Sequence, residues 1–334
     1  MMVFATFFHR AVLTAISLLF GCTGEIITEK SGNLNLGIPG VMCMGGISGF
    51  TGAFLYEFYW STPETANVFL AIILPLLFCL AGSLIMGLIY SFLTITLRVN
   101  QNVTGLALTI FGAGLSDFLG NYWVKQVGSD GSFVSINLSS KYYMATLPFA
   151  EDLGWFGEMF LSYGFLAYVA IVIAILAAVF LNHTRTGLNL RAVGENPATA
   201  DANGINVTKY KYLATCIGCM IAGMGGLFYV MNKASGVWSS DNLEPLGWLS
   251  IALVIFTVWK PNLAIPGAII FGGLSILAYH LNAFGISIPL EMKPLFEILP
   301  YVVTVVVLIF NSMRKKRENQ PPEALGLSYF REDR

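Results

Sequence analysis

Groups able to do covalent or metal chemistry are few and scattered in this chain. The three histidines, His9, His183 and His280, are dispersed, and the five cysteines stand at 22, 43, 79, 216 and 219, all in apolar stretches. Cys216 and Cys219 form a C-x-x-C, the spacing of a redox or zinc pair. That pair lies on one turn of an apolar segment with no further Cys or His nearby, which fits small buried residues instead. No metal site or disulfide framework is expected. No Gly precedes a Lys anywhere, so there is no G-x-x-x-x-G-K-[ST] loop to cradle phosphates, and no carboxylate pair or nucleophile arrangement has a defined spacing. The chain is not expected to be an enzyme, and any ATP would have to be hydrolysed by another chain.

The most informative stretch is polar. It runs from 182 to 211 and contains Gly187, Arg191, Gly194, Glu195, Asn196, Pro197, Ala200 and Gly204. Asn196 can cap a helix, Pro197 suits the first helical position and Gly204 can terminate it, which predicts about two turns of helix. A helix that short is marginal alone in water. Its Ala-rich face offers a surface that another subunit's groove could hold; the same features also fit a loop folded onto its own bundle.

The elements that must position this loop are membrane helices. Of 334 residues, 56% are apolar and 11% charged, against about 25% charged in a soluble domain, and the mean hydropathy is +0.70. At about 20 residues per span there is room for roughly eight to ten spans, so the expected fold is all-α, a polytopic transmembrane bundle with broken or re-entrant helices. With 18 Lys and Arg against 19 Asp and Glu the net charge is -1, which lacks the basic surplus of a nucleic-acid binder.

The N-terminal run His9 to Cys22 could be read as a signal sequence, but Phe20 is bulky where a cleavage site prefers a small residue, and membrane-type sequence resumes after Cys22. An uncleaved first helix is expected. Further apolar segments fall at about 36–56, 67–95, 103–122, 157–181, 212–232, 246–259, 262–284 and 295–311. The first of these holds Pro39 among six glycines and is expected to be a poor continuous helix, a break tolerated where it is buried or lines a watery cavity; the same glycines equally suit close helix packing. The 246–259 segment has 14 residues, about 21 Å at 1.5 Å per residue, short of a roughly 30 Å core. Residues 1–311 thus read as one transmembrane domain, with 123–156 an external loop, 182–211 an internal one and 312–334 a soluble tail.

Placing the tail inside, with its Arg314-Lys315-Lys316-Arg317 cluster, puts 13 of the 18 cationic residues on the cytoplasmic side. The N-terminus then lies outside, as do Glu57, Glu64, Asp130, Glu151, Asp152, Asp241, Glu244 and Glu291. Glu25 and Asp117 are the main acids within spans, both read as near segment ends that water or headgroups reach. Ion coupling is therefore not expected, and the path reads as neutral and polar, suited to an uncharged solute. An internal echo links NLGIPG at 35–40 to NLAIPG at 262–267; each is followed by Gly-Gly-x-Ser, with eight of fourteen positions identical, as related repeats would give.

The run LRAVGENPATADANGINV (190–207) resembles the cytoplasmic coupling loop of bacterial ABC importer permeases of the branched-chain amino acid, ribose and nucleoside type. SGNLNLGIPGVM (31–42), NQNVTGLALTIFGAGLSDFLG (100–120), LPYVVTVVVLIF (299–310) and the tail PPEALG (321–326) agree, and the likeness is greatest to the nucleoside and simple-sugar permeases. Two positions depart from that pattern: Pro39 where Glu is expected, and Thr109 where Asn is expected. The resemblance implies alternating access in a bacterial cytoplasmic membrane, with a cytoplasmic C-terminus and surrounding membrane lipid. It further implies a second, non-identical permease, ABC ATPase subunits that carry the ATP and Mg, and an extracytoplasmic substrate-binding lipoprotein. It assigns the 187–204 loop to an ATPase groove. Asn33, Asn35, Pro39, Asn102, Thr109 and Asn262 become candidates for the translocation path, although the polar ones equally suit helix capping or helix bridging. The alternative function is a secondary carrier or channel for a neutral solute that needs no ATPase.

Overall fold

The computed structural model describes every residue except 1, 62–65, 128–133, 149–152, 240–242, 282–288, 315–319 and 331–334. Its helices are α1 (Met2–Glu29), α2 (Ile38–Leu55), α3 (Val68–Ser91), α4 (Gln101–Gln126), α5 (Asn137–Tyr143), α6 (Gly154–Phe160) and α7 (Phe165–His183). Then follow α8 (Arg185–Glu195), α9 (Pro197–Ala202), α10 (Val207–Phe228), α11 (Leu243–Phe256), α12 (Pro261–His280), α13 (Lys293–Glu297) and α14 (Leu299–Arg314). Wide π-type turns extend α2 to Trp60, α3 to Thr96 and α10 to Lys233. Among the described residues no strand forms; one isolated bridge joins Ser135 to Val237. Among the described residues eight helices are long and apolar enough to cross a membrane, and α11 is a shorter apolar helix.

Asparagines set many of the starts. Asn67, Asn100, Asn196 and Asn206 each accept a backbone N–H of the helix they precede, satisfying donors that the helix itself leaves free. At α12 the start is Pro261, whose missing N–H costs nothing there.

The long helices run between two ends. One, the tail end, gathers the end of α1, the start of α2, α8, α9 and residues 320–330; at the other, Glu57 meets the start of α5 and Thr6 meets Glu158. The centre is α1, whose hydrophobic window is 94% buried, packed by α7, α10, α11 and α12. By contrast α14 and α3 are 11% and 28% buried in theirs, as lipid-facing helices would be.

Of the two expectations about breaks, the short segment holds as α11 and the Gly-rich one needs correction. The Gly-rich segment is an unbroken helix: Pro39 sits in its first turn, and the glycines serve close packing, since a Cβ on Gly45 would meet Gly223 of α10 and one on Gly40 would meet Leu108 and Thr109 of α4. The broken passage is at α11. Its first residue, Leu243, packs on Gly46, and Gly247 packs on Pro39. Gly82, the middle residue of the Val68–Thr96 span, faces Ser48, while Gly223, just past the middle of Val207–Lys233, faces Gly45. Residues 45–48 of α2 therefore mark mid-depth, and α11 begins there, running only to the tail end. Both echoing segments start at the tail end, and in each the first Gly of the pair closes on another helix: Gly45 on α10, Gly272 on Ala11 and Ala15 of α1.

Candidate functional site

At the tail end α8 and α9 form two short helices with a shared cap. Thr184 caps α8 by accepting the Gly187 N–H at 3.0 Å. Asn196 closes α8 by donating its N–H to Ala192 O at 2.9 Å, and opens α9 by accepting the Thr199 N–H at 2.9 Å. Gly204 has φ +82°, the left-handed turn that glycine adopts without strain, and ends the unit. The helix expected at 197–202 is present; α8 was not anticipated, because Gly187 and Gly194 weaken its helical signal.

The eight loop residues divide by direction. Glu195, Asn196 and Gly204 are exposed, with Pro197 half-buried beside them; Ala198, Thr199, Ala202 and Asn203 complete the outward face. Gly187, Gly194 and Ala200 point inward. A Cβ on Gly187 would strike the Phe180 carbonyl, and one on Gly194 the Lys30 carbonyl, while Ala200 packs with Val193 and Val207. Arg191 is half-buried with its Nε unpartnered. It borders a cavity of about 550 Å³ with Lys30, Glu195 and Lys260. Burial lowers the Lys30 ammonium below the usual lysine range, and nearby Glu195 partly offsets this.

Gly194 leans on the turn between α1 and α2, which is fastened from every side. Asn35 donates its N–H to Glu25 Oε1 at 3.1 Å, Leu34 donates its N–H to Gln101 Oε1 at 2.7 Å, and the Tyr90 hydroxyl donates to the Leu34 carbonyl. The Trp259 indole N–H donates to Glu29; Trp259 and Val258 hold left-handed φ of 54°, a hook that turns the chain from α11 into α12. The tail closes over the turn, with Ala324 N–H donating to Gly194 O at 3.0 Å and Gly326 N–H to Gly32 O at 3.2 Å.

The path candidates are not one constellation. Asn33, Asn35, Pro39 and Thr109 gather around the start of α2. Asn33 donates to Thr215 Oγ1 at 3.0 Å and leaves its Oδ1 without a partner; Asn35 accepts the Gly37 N–H and donates to Cys219 Sγ; Thr109 donates to Leu36 O at 2.9 Å. All three are buried, and their bonds are those of a corner brace. Asn102 and Asn262 lie exposed on the outer faces of α4 and α12, away from that group.

The acids stand differently from their expected positions. Glu25 and Glu29 are buried, at 0% and 3% exposure, Glu25 away from water and headgroups and Glu29 at the edge of a cavity of about 960 Å³. Asp117 is not near an end. Gly120 of α4 and Gly46 of α2 both pack against Trp238, and Leu243 also packs on Gly46, which sets Asp117 and Glu244 near mid-depth. Glu244 therefore belongs to the first turn of the half-length α11 and not to an external loop. Glu64, Asp130, Glu151, Asp152, Asp241, Lys315, Lys316 and Arg317 lie outside the described residues. Asp117 is exposed on a face of α4 that also carries Asn102, Leu106, Ile110, Phe118 and Tyr122. A carboxylate on lipid at that depth is costly, so this face needs water or protein over it.

The five cysteines are free and buried. Among the described residues no group of three or more His, Cys, Asp or Glu could hold a metal.

With this geometry in hand, the likeness to known proteins is specific. The family model of the branched-chain amino acid transport system permease component matches residues 7–308. The ABC transporter permease protein TsgC13 of Haloferax volcanii, ascribed to glucose, is 30% identical over 340 residues, covering 97% of this chain and 97% of its own. The nucleoside ABC transporter permease protein NupC of Lactococcus lactis is 32% identical over 299 residues, 87% of each chain. The guanosine ABC transporter permease protein NupQ of Bacillus subtilis is 27% identical over 321 residues, 95% of this chain and 94% of its own.

Proposed function

Because the chain belongs to the branched-chain amino acid transport system permease family, we propose that it is the membrane-spanning part of an ATP-driven importer for a nucleoside or a similar neutral, sugar-containing solute. The protein is a multi-pass membrane transport component. Its own residues contribute a bundle, a coupling surface and a path; ATP and Mg belong to a partner ATPase. The observation that carries this reading is α9, a separately capped helix whose face of Ala198, Thr199, Ala202 and Asn203 projects from the tail end. A six-residue helix gains little from its own hydrogen bonds, so a projecting one suits a groove on another subunit. On this reading the tail end is cytoplasmic, as the concentration of Lys and Arg there supports.

The solute assignment is supported by what NupC and NupQ are named for, and glucose in TsgC13 widens it to simple sugars. The α4 face bearing Asp117 is assigned to a water-filled path shared with a second, non-identical permease. A carboxylate there is compatible with an uncharged polyol, whose hydroxyls it can accept. The binding protein would dock on the opposite end, where α5 and α6 lie.

The test is reconstitution of this chain with its second permease, ATPase and binding protein in liposomes. Uptake of labelled nucleoside that requires ATP and all four components is expected. Uptake by this chain alone, driven by an ion gradient, would replace the importer with a carrier.

A further inference from the structure

A cavity of about 630 Å³ lies at the tail end, between the coupling helix, the start of α10, the end of α3 and the tail. Arg98, Lys209 and Lys211 line it, and Asp201 is the one carboxylate among its lining residues. Asp201 is already engaged, its Oδ2 accepting from the Tyr329 hydroxyl at 2.9 Å. Lys211 is 3% exposed, and an ammonium is not buried cheaply without a counter-charge. Arg98 stands at φ 58°, a left-handed conformation that side-chain-bearing residues seldom adopt, with its guanidinium 4.6 Å from the Phe330 ring centroid. Asn33, 0% exposed, also lines the cavity and carries an unpartnered Oδ1. The first turn of α10 supplies Val207 and Thr208 at a helix N-terminus, an end that favours anions.

We propose that this cavity binds a phosphate ester, with Lys209, Lys211 and Arg98 on the phosphate and Asn33 accepting a hydroxyl of the same molecule. A ligand seated there touches the coupling helix through Asp201 and Gly204, the bundle through Asn33 and Thr94, and the tail through Ser328 and Tyr329. The ligand then ties the coupling helix, the bundle and the tail to one another, so occupancy slows any step in which one of them shifts. Two sources present this chemistry: the headgroup of an anionic phospholipid, and a soluble phosphorylated compound. For the soluble source, the reaction class that consumes an imported nucleoside or sugar is phosphorylation, and its product would restrain further import. The slowing of coupling and the restraint on import rest on the proposed import function; the phosphate-ester site does not.

The assembled complex in nanodiscs of neutral phosphatidylcholine is titrated with ribose 5-phosphate, ribose and inorganic phosphate, reading calorimetric binding and ATPase rate. Ribose 5-phosphate is expected to bind and to lower the stimulated ATPase rate at least twofold; ribose is expected to do neither. Arg98→Gln and Lys209→Gln, both at exposed positions, should each weaken that binding tenfold or more, and Lys211→Gln should do so wherever it still assembles. If phosphatidylglycerol nanodiscs abolish the response, and native mass spectrometry finds a bound phosphatidylglycerol that Arg98→Gln loses, the site is upheld with lipid as its ligand. Binding of both ribose 5-phosphate and phosphatidylglycerol that is absent, or unchanged by Arg98→Gln and Lys209→Gln, overturns the site. Binding that persists in a complex showing no ATP-dependent uptake upholds the site while refuting the import reading.

Discussion

Asn196 carries more of the coupling helix than any other single side chain. Its N–H ends α8, its carbonyl receives the Ala200 N–H at 3.0 Å, and its side chain receives the Thr199 N–H at 2.9 Å. Because the side chain is exposed, truncating it removes the cap without opening a cavity. Loss of such a cap costs about 1 kcal/mol for Ala, a few tenths for Gly and almost nothing for Asp. Elsewhere in a long helix that loss would be absorbed. In α9, which has six residues and packs on the bundle through Ala200, about 1 kcal/mol is a roughly fivefold change in the ratio of formed to frayed helix. The expected order of substrate-stimulated ATPase activity is therefore wild type and Asn196→Asp together, Asn196→Gly slightly lower, and Asn196→Ala lower by up to about fivefold. Membrane abundance and melting temperature should stay level across the series, since fraying of α9 is local. Equal activity in all four proteins, or equal loss in all three variants, would refute a role for the cap in coupling.

Gly112→Ala should lower the melting temperature in detergent, because the new Cβ collides with the Gly40 carbonyl and overpacking of this kind costs about 1–3 kcal/mol. Gly114→Ala on the same helix, with nothing within 4 Å, should be neutral, and similar losses in the two would undo the packing argument for α2 and α4. Asp117→Leu should insert and assemble normally, since it removes a charge at mid-depth, yet reduce uptake at least tenfold. Wild-type uptake in that variant would mean that this face of α4 lies away from the path.

What was legible in the sequence follows from which signals are local. Asn196-Pro197 and Gly204 specify a helix start and stop by their own backbone preferences, and the structure places both at those points. Span composition likewise survives translation into helices. Depth does not. Asp117 was read as near a segment end and Glu244 as outside the membrane because segment ends were set by hydropathy, whereas α4 runs on to Gln126 and α11 starts inside the bundle. For the glycines of α2 the sequence left a broken helix and close packing both open, for a related reason. Propensity scales count the helix former lost, but the backbone of α10 or α4 approaching that position is a tertiary fact. Gly194 shows the same limit: in sequence it belongs to a loop offered to a partner, and in space it closes on Lys30. Tyr90, Gln101 and Trp259, which brace the α1–α2 turn, gave no signal, because their partners are tens to hundreds of residues away.

That brace bears on how a push on α9 would reach the path. Gly194 sits against the turn, and the turn is tied to α1 through Glu25, to α3 through Tyr90, to α4 through Gln101 and Thr109, and to α11 through Trp259 and Glu29. Leaving one buried polar partner unsatisfied costs about 1–3 kcal/mol. Undoing several would approach or exceed the roughly 5.5 kcal/mol that separates a bundle almost wholly in one state from one almost wholly in the other. A transport cycle that broke the brace on every turn would therefore have to supply that energy locally. Moving the brace intact is cheaper, and the displacement must then be taken up where helices meet without hydrogen bonds. The seam of Gly45 with Gly223 is such a place, a close backbone contact held by dispersion and lying beyond the brace's own bonds. It lies at the α2 residues level with Asp117, so a rigid corner at the tail end and a smooth seam at mid-depth together direct motion toward the face of α4 that the path requires.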